Sequence, residues 1–177
     1  MIIREARLND SAAIAKVHVD TWKTTYRGIV PEDYIAKLSY KRRKSNWDNQ
    51  LSIGTEAESD YFIYVAENFI GEIVGFVDGG LERSSDSRYK CEIYAIYILE
   101  AYQRKGIGRS LVQLIASRLS QLGLTSMLVW VLADNPASQF YQALGGQKIY
   151  QKLIKIEGIE LEEVAYGWND TRVLTAK

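Results

Sequence analysis

The chain has 177 residues, of which 47% are hydrophobic and 25% are charged, which suits one buried core and predicts a single domain over residues 1–177. Lys plus Arg number 22 and Asp plus Glu number 22, so no net charge attracts nucleic acid or an anionic membrane. A single Cys and a single His exclude an internal disulfide and a Cys/His zinc cluster. We therefore expect a cytoplasmic protein that binds no metal.

The first third of the chain reads as a short strand followed by helices. A strand over residues 1–6 precedes a helix capped by Asn9 or Asp10, Pro31 suits the first turn of a second helix, and residues 40–51 predict a third. The polar residues 52–60 predict a loop. His18 is expected to be a partly buried histidine with satisfied hydrogen bonds, and the basic run 41–44 a solvated helix face.

The remaining two thirds predict a mixed sheet. Period-two patterns give a hairpin over residues 61–82 and a strand over 91–99, in which Cys91 is a core residue. An apolar face then predicts a helix over 106–122 with Gly123 as its C-terminal cap. A strand over 126–132, a helix from Asn135 to Leu144 and a closing strand pair follow. The predicted class is mixed α/β (α+β), with a mostly antiparallel sheet and helices on both of its faces.

Gly106 and Gly108 form an elbow between a strand and a helix, with cations on both sides. A helix N-terminus presents free N–H groups and the positive end of the dipole, so this elbow suits a phosphate or pyrophosphate. It lacks the spacing of a Walker P-loop, and Leu111 stands where a Rossmann motif has its third glycine. An ordinary tight turn with solvated cations is the structural alternative.

The segment Gln-Arg-Lys-Gly-Ile-Gly at residues 103–108 resembles the coenzyme A signature of the GNAT superfamily of N-acetyltransferases. The later segment "VWVLADNPASQFYQALGG" is similar to a second motif of that family, and "TWKTTYRGIVPEDYIAKLS" to the substrate-side helices of its bacterial members. Two motifs in the right order are more specific than a single glycine pair.

The resemblance implies an enzyme that uses acetyl-CoA as co-substrate. In this family the strand before the elbow splays from its parallel neighbour, and the pantetheine arm pairs with it, here along Ile96, Tyr97 and Ile98. Asn135 would hold the far side of the pantetheine. The pyrophosphate would rest on the residues of the elbow, namely Gln103, Arg104, Lys105, Gly106, Ile107, Gly108, Arg109 and Ser110.

The resemblance also implies direct attack of an amine on the thioester in a ternary complex. Tyr141 would lie near the sulfur and protonate it as it leaves, and Glu92 would accept the proton of the ammonium through water. Each residue has a structural alternative: Tyr141 as core packing, Glu92 as a solvent-facing carboxylate and Asn135 as a helix cap only.

The acceptor is expected to be a small-molecule primary amine. Trp22 and Tyr26 are predicted to line its pocket, and carboxylates such as Asp20, Glu32 or Asp78 to attract its charge. The alternatives are a protein or peptide N-acetyltransferase, a non-catalytic regulator that binds acyl-CoA, and a nucleotide-binding protein. A homodimer through a sheet edge is also compatible with the pattern.

Overall fold

The computed structural model describes residues 1–54 and 59–175. The strands are β1 Ile2–Glu5, β2 Tyr61–Glu67, β3 Ile73–Leu81, β4 Cys91–Ile98, β5 Met127–Leu132, β6 Gln147–Ile156 and β7 Ile159–Trp168. The helices are α1 Ser11–Thr25, α2 Glu32–Ala36, α3 Tyr40–Gly54, α4 Ile107–Gln121, α5 Ala137–Ala143 and α6 Arg172–Thr175. Within the described part, no helix is long and apolar enough to cross a bilayer.

The strands form one sheet in the order β1-β2-β3-β4-β5-β7-β6. Among the seven described strands, only β4 and β5 pair in parallel, and the other neighbouring pairs are antiparallel. The predicted mixed sheet is therefore confirmed, including the position of its parallel pair next to the glycine elbow.

Helices cover both faces of the sheet because the strands alternate apolar side chains between them. Phe62 and Tyr64 of β2 pack in the same cluster as α4, whereas Ile63 and Val65 pack in the cluster that includes α1 and α3. The predicted apolar face of α4 is buried, and removing a Leu or Ile side chain from water stabilises the fold by roughly 1.5–3 kcal/mol. Its fully buried members are Leu111, Ile115 and Leu119.

The sheet opens between β4 and β5. These strands pair only over Cys91–Ile93 and Met127–Val129, although both continue beyond that point. On the other side of β4, Asp78 lies opposite Ala95 and Gly79 opposite Ile93, so Tyr94 is an extra residue in a bulge. A bulge bends its strand and increases the local twist. The bulge at Tyr94 thus coincides with the point where β4 leaves β5, and the expected splay is present.

The structure differs from the sequence prediction at three places. The loop predicted over residues 52–60 begins later, because α3 continues to Gly54, and residues 55–58 lie outside the described part. The helix predicted from Asn135 begins at Ala137, because Pro136 is its N-cap residue and the Asn135 side chain accepts from the amide of Ala137. The short α6 was not predicted; its one buried residue, Leu174, accepts a hydrogen bond from Gln113 of α4 at 2.8 Å.

Candidate active site

The turn between β4 and α4 carries a run of unpaired backbone N–H groups. The amide of Gln103 donates to the carbonyl of Glu100 at 3.1 Å, and that of Ser110 to the carbonyl of Gly106 at 3.1 Å. Between them, the amides of residues 104–109 find no acceptor among residues 1–54 and 59–175. They lie at the positive end of the α4 dipole, so an anion can bind them without displacing a protein acceptor. The predicted donor run is therefore shorter by one residue at each end.

The two glycines of this turn have different functions. Gly106 has φ of +82°, and the position of a Cβ on it is open to solvent. Its glycine is needed for the left-handed conformation, which Arg104 also adopts with φ of 57°. A Cβ on Gly108 would lie 3.1 Å from Cζ of Phe140 and 3.3 Å from Cδ1 of Ile98. Gly108 therefore lets the start of α4 approach both β4 and α5.

Of the three cationic side chains at the elbow, Arg104 and Arg109 are available to a ligand, whereas Lys105 is bonded within the turn. Lys105 donates from Nζ to the carbonyl of Ala101 at 2.8 Å, and the Gln103 side chain donates to the carbonyl of Ile98 at 3.0 Å. Arg104 and Arg109 are exposed and have no charged partner within the described residues. They add formal positive charge to the free amides.

The second half of β4 offers an open edge. Ile96, Tyr97 and Ile98 pair with β3 on one side, but they have no partner on β5. The three residues are half-buried, with Ile96 and Ile98 on the face of α4 and Tyr97 on the opposite face, so it is their backbone that borders the gap. An extended ligand can add to such an edge as another strand would. The edge leads from the bulge at Tyr94 to the free amides of the elbow.

Asn135, Tyr26, Tyr97 and Tyr141 meet at the gap. Asn135 is buried; its Oδ1 accepts from the amide of Ala137 at 2.9 Å, and its Nδ2 donates to the hydroxyl of Tyr26 at 3.2 Å. Its side chain therefore links the start of α5 to Tyr26, and its contact with the pantetheine stays a prediction. The hydroxyl of Tyr26 also interacts with that of Tyr97.

Burial is the main cause of the raised pKa values in this tyrosine group. It raises the pKa of Tyr141 well above that of a free phenol, and the neighbouring Tyr26 adds to the effect. Tyr141 also packs near Tyr166 and Trp168, with ring centroids 6.0 and 6.4 Å away. The phenol therefore keeps its proton at neutral pH and can donate it or share it.

Glu92 lies away from the open edge and is held by an ion pair. It is only 3% exposed, and both of its carboxylate oxygens accept from the guanidinium of Arg83, with Nε to Oε2 at 3.0 Å. Arg83 in turn lies over the ring of Tyr94, 4.1 Å from its centroid. The carboxylate was predicted to accept a proton, and here its lone pairs are already engaged by a permanent cation.

The structure brings a second buried carboxylate to the bulge. Asp78 is 3% exposed, and its Oδ2 accepts from the hydroxyl of Tyr61 at 2.8 Å. The sequence analysis named Asp78 only as one of several carboxylates near a possible acceptor. A local signal was present in Gly79 and Gly80, because a Cβ on either would lie 2.6 Å or less from a backbone oxygen of a neighbouring strand or loop.

Trp22 lies between the tyrosine group and a surface cavity. Its ring is 4.4 Å from that of Tyr26 and 5.6 Å from that of Tyr34. Tyr34 lines a cavity of about 260 Å³ between α2, the start of α3 and the β6–β7 turn. The cavity has more cations than anions; its other lining residues are Lys37, Leu38, Ser39, Arg42, Arg43, Asn46 and Glu157. The basic run 41–44 is therefore only partly a solvated face.

His18 contacts the same aromatic region from α1. It is 7% exposed, and its ring lies 4.8 Å from that of Tyr97. Its Nδ1 has no hydrogen-bond partner among the described residues, so the expected satisfied histidine is not found. Burial, with a smaller contribution from Arg43, lowers the pKa of His18 to about 3.

Known proteins resemble the chain over almost all of its length. The uncharacterised N-acetyltransferase YuaI of Bacillus subtilis is 41% identical over 172 residues, which cover 97% of this chain and 95% of YuaI. The chain belongs to the GNAT family of N-acetyltransferases. The model of the FR47-like protein family matches residues 74–154 of this GNAT protein, a range that includes β4, the elbow and α5.

Two further relatives are more distant from this GNAT protein. The spermidine N(1)-acetyltransferase of Thermoplasma acidophilum is 24% identical over 148 residues, covering 83% of this chain and 88% of that protein. The structure of the PaiA N-acetyltransferase of the same organism in complex with coenzyme A has a TM-score of 0.71 at 20% identity, covering 92% and 96% of the two chains. This structural likeness shows that the GNAT fold is shared.

Proposed function

We propose that this GNAT protein transfers the acetyl group of acetyl-CoA to a primary amine of a small molecule, as a single cytoplasmic domain over residues 1–177. The observation that carries the proposal is that two stretches of unpaired backbone lie next to each other. The unpaired amides 104–109 suit a pyrophosphate, and the open edge of β4 beside them suits the pantetheine arm. The relatives named above support the same chemistry.

Each predicted coenzyme residue has a place in this proposal. Arg104 and Arg109 add charge at the pyrophosphate, while Gln103, Lys105 and Ser110 shape the turn through their bonds within the chain. The backbone of Ile96, Tyr97 and Ile98 receives the pantetheine. Asn135 closes the other side of the gap, with its amide already directed at Tyr26.

The acetyl transfer needs an acidic group at the departing sulfur. The neutral amine attacks the thioester carbon, the C–S bond breaks, and the sulfur takes up a proton. Tyr141 is our candidate for this proton donor, because its phenol is buried at the gap and carries its proton at neutral pH. The nitrogen loses a proton as the amide forms, and that proton restores Tyr141 through water.

The acceptor side is formed by Trp22, Tyr26 and the cavity beyond Tyr34. A distant relative bears the name of a spermidine acetyltransferase, which makes a small amine the natural class. The cavity, however, carries Lys37, Arg42 and Arg43 against Glu157 alone. Positive charge disfavours the second ammonium of a polyamine and favours a carboxylate or phosphate. We therefore propose an amine that also carries an anionic group.

A panel of matched amines tests both levels of the proposal through release of free thiol from acetyl-CoA. Putrescine and 4-aminobutyrate have the same primary amine and differ in the charge of the other end; spermidine, lysine and a short peptide extend the panel. We expect a higher kcat/KM for 4-aminobutyrate than for putrescine. The reverse order would reject the anionic acceptor while supporting the transferase. Thiol release equal to the blank with every amine would reject the transferase and favour an acyl-CoA-binding regulator.

Two pairs of charge variants serve as controls for each other. Arg104→Gln with Arg109→Gln should weaken acetyl-CoA binding, and the loss should shrink at high salt because the contact is electrostatic. Arg42→Gln with Arg43→Gln should leave acetyl-CoA binding unchanged and raise KM for 4-aminobutyrate more than for putrescine. If the elbow variants leave the Kd of acetyl-CoA unchanged, the elbow is not the pyrophosphate site.

A further inference from the structure

The proposed reaction has a proton to remove at its start. A primary amine with a pKa near the reference value of about 10.4 is almost fully protonated at neutral pH and has no lone pair for attack. The residue predicted to accept this proton, Glu92, has both oxygens bonded to Arg83. A carboxylate whose oxygens already accept from a guanidinium has fewer free lone pairs for an incoming proton. The proton of the ammonium therefore needs another acceptor near the bulge.

Asp78 has the geometry that Glu92 lacks. Its Oδ2 accepts from Tyr61, while its Oδ1 is buried and has no well-aligned donor within residues 1–54 and 59–175, the amide of Ala95 acting on the carboxylate only weakly. A buried carboxylate oxygen without a partner is rare, and it makes the carboxylate more basic. Asp78 lies opposite Ala95, directly beside the bulge at which β4 leaves β5.

Tyr61 can carry protons between this buried carboxylate and the outside of the sheet. Its ring is half-buried and lies 5.7 Å from that of Tyr94, the extra residue of the bulge. Its hydroxyl can accept a proton on one lone pair while it donates its own proton to Asp78. A phenol that does both stays neutral throughout the transfer.

Charged and titratable groups surround Asp78 on three strands and two helices. From β2 comes the hydroxyl of Tyr61; Arg83 follows β3 and acts on Asp78 through its charge, without a direct ion pair. From β4 come Tyr94, whose hydroxyl donates to the carbonyl of Leu81 at 2.6 Å, and the paired Glu92. The helices α1 and α3 cover this face with apolar side chains, and α1 also brings His18 against Phe76, with Arg43 of α3 acting on His18.

We infer that Tyr61 and Asp78 together accept the proton of the acceptor ammonium, a role that rests on the proposed transferase function. The ammonium gives a proton to Oη of Tyr61, directly or through one water, as Tyr61 gives its own proton to Oδ2 of Asp78. The neutral amine then attacks the thioester carbon, the C–S bond breaks, the sulfur leaves with a proton from Tyr141, and the second proton of the nitrogen passes through water to the Tyr141 phenolate. Asp78 returns its proton to solvent by the same route, so the balance is amine plus thioester to amide plus thiol.

The acid–base balance of the pair suits neutral pH. Burial raises the pKa of Asp78 to about 7, against opposing effects of the Tyr61 hydrogen bond and the charge of Arg83. A base with this pKa is half available at pH 7 and strong enough to take a proton from an amine in a coupled step. A solvent-exposed aspartate, with the reference pKa of about 3.9, would be a much weaker base.

The kinetic experiment compares four variants over pH 5.5–9.5, with the panel amine that has the highest kcat/KM. Asp78→Asn should lower kcat about a hundredfold or more at pH 7, with the KM of acetyl-CoA unchanged. Its remaining rate should rise about tenfold per pH unit up to the pKa of the amine, because solvent alone then supplies the neutral form. Tyr61→Phe should also lower kcat, and it should move the acid limb to higher pH because Asp78 loses its donor.

Two variants control for simple damage to this region. Tyr94→Phe removes the neighbouring hydroxyl, which donates to a backbone carbonyl and to no carboxylate. Glu92→Gln removes the partner of Arg83. Both should keep the acid limb of the wild-type profile, even if Glu92→Gln unfolds at a lower temperature. An Asp78→Asn variant that keeps the wild-type acid limb, or a Glu92→Gln variant that alone loses it, would overturn the inference.

A measurement that needs no acceptor separates this inference from the proposed function. In protein labelled at the aspartate carboxyl carbons, the signal missing in Asp78→Asn should titrate between pH 6 and 8 in the acetyl-CoA complex. A signal that titrates below pH 5 would overturn the inference whether or not an amine is turned over. A signal that titrates near 7 without turnover of any panel amine would reject the proposed function, and with it the role of the pair.

Discussion

Asn135 and Tyr26 are joined by a hydrogen bond of 3.2 Å that connects the end of β5 with the end of α1. The two residues are far apart in the sequence, and their contact brings the acceptor-side helices to the gap between β4 and β5. The same Asn135 side chain caps α5 through the amide of Ala137. One side chain therefore fixes three elements around the proposed thioester.

Replacing Asn135 tests this double role. Asn135→Ala removes the cap and the link, and we expect a loss of about 1–2 kcal/mol of unfolding free energy because a buried cap and a buried hydroxyl both lose a partner. Asn135→Asp keeps an oxygen for the amide of Ala137 but cannot donate to Tyr26. Urea denaturation should place its stability between the other two proteins. Equal stability of the Asp and Ala variants would mean that the cap contributes nothing.

Gly106 and Gly123 offer a matched test of the elbow. They stand beyond opposite ends of α4 with φ of +82° and +77°, and the Cβ position of each is open. Alanine in either place should cost about 1–2 kcal/mol of stability, because both residues are left-handed. Only Gly106→Ala should raise the Kd of acetyl-CoA, since only that strain distorts the free amides. Calorimetric titration with acetyl-CoA measures the difference, and an equal effect on Kd would argue against binding at the elbow.

Tyr141 and Tyr166 form a similar pair for the proton donor. Both phenols are buried and their rings lie 6.0 Å apart, but the hydroxyl of Tyr166 accepts from Gln142 at 3.0 Å. Tyr141→Phe should reduce kcat about a hundredfold with little change in the Kd of acetyl-CoA. Tyr166→Phe should reduce stability and leave kcat within a fewfold of wild type. If steady-state thiol release by Tyr141→Phe equals that of wild type, Tyr141 is a packing residue only.

The elbow could be predicted from the sequence because its requirements are local. Position 106 needs glycine because its φ is positive, and the spacing of apolar residues along α4 marks the one face that is buried. Two other features could not be predicted, because they depend on the register between strands and not on local sequence. The bulge at Tyr94 and the pairing of Arg83 with Glu92 arise only once β3 and β4 are aligned. A predicted strand shows which residues alternate, but not which residue faces a partner on another strand.

Burial of polar groups was equally hard to anticipate. Asp78 and His18 lie on the predicted strand and helix, yet no local pattern indicates which of their atoms would be buried without a partner. Such atoms result from the packing of several elements, here the sheet, α1 and α3. They also determine how the two groups titrate, which is the property that bears on function.

His18 should make the folded state sensitive to mild acid. The unfolded chain takes up a proton near the reference pKa of about 6.5, whereas burial keeps the folded pKa at about 3. Between these values the unfolded state binds more protons, so the contribution of His18 to stability is complete above pH 6.5 and falls as the pH drops, by about 1.4 kcal/mol per unit.

Asp78 works in the opposite direction over part of this range, because its folded pKa is raised to about 7. The wild-type profile alone therefore does not isolate His18, and the measurement is a difference. Urea denaturation at pH 7.5 and 5.0 should show that wild type loses about 2 kcal/mol more than His18→Gln between the two values. Asp78 is present in both proteins, so its contribution cancels. Parallel profiles for wild type and His18→Gln would show that His18 is protonated in the folded protein and is not held neutral by its aromatic surroundings.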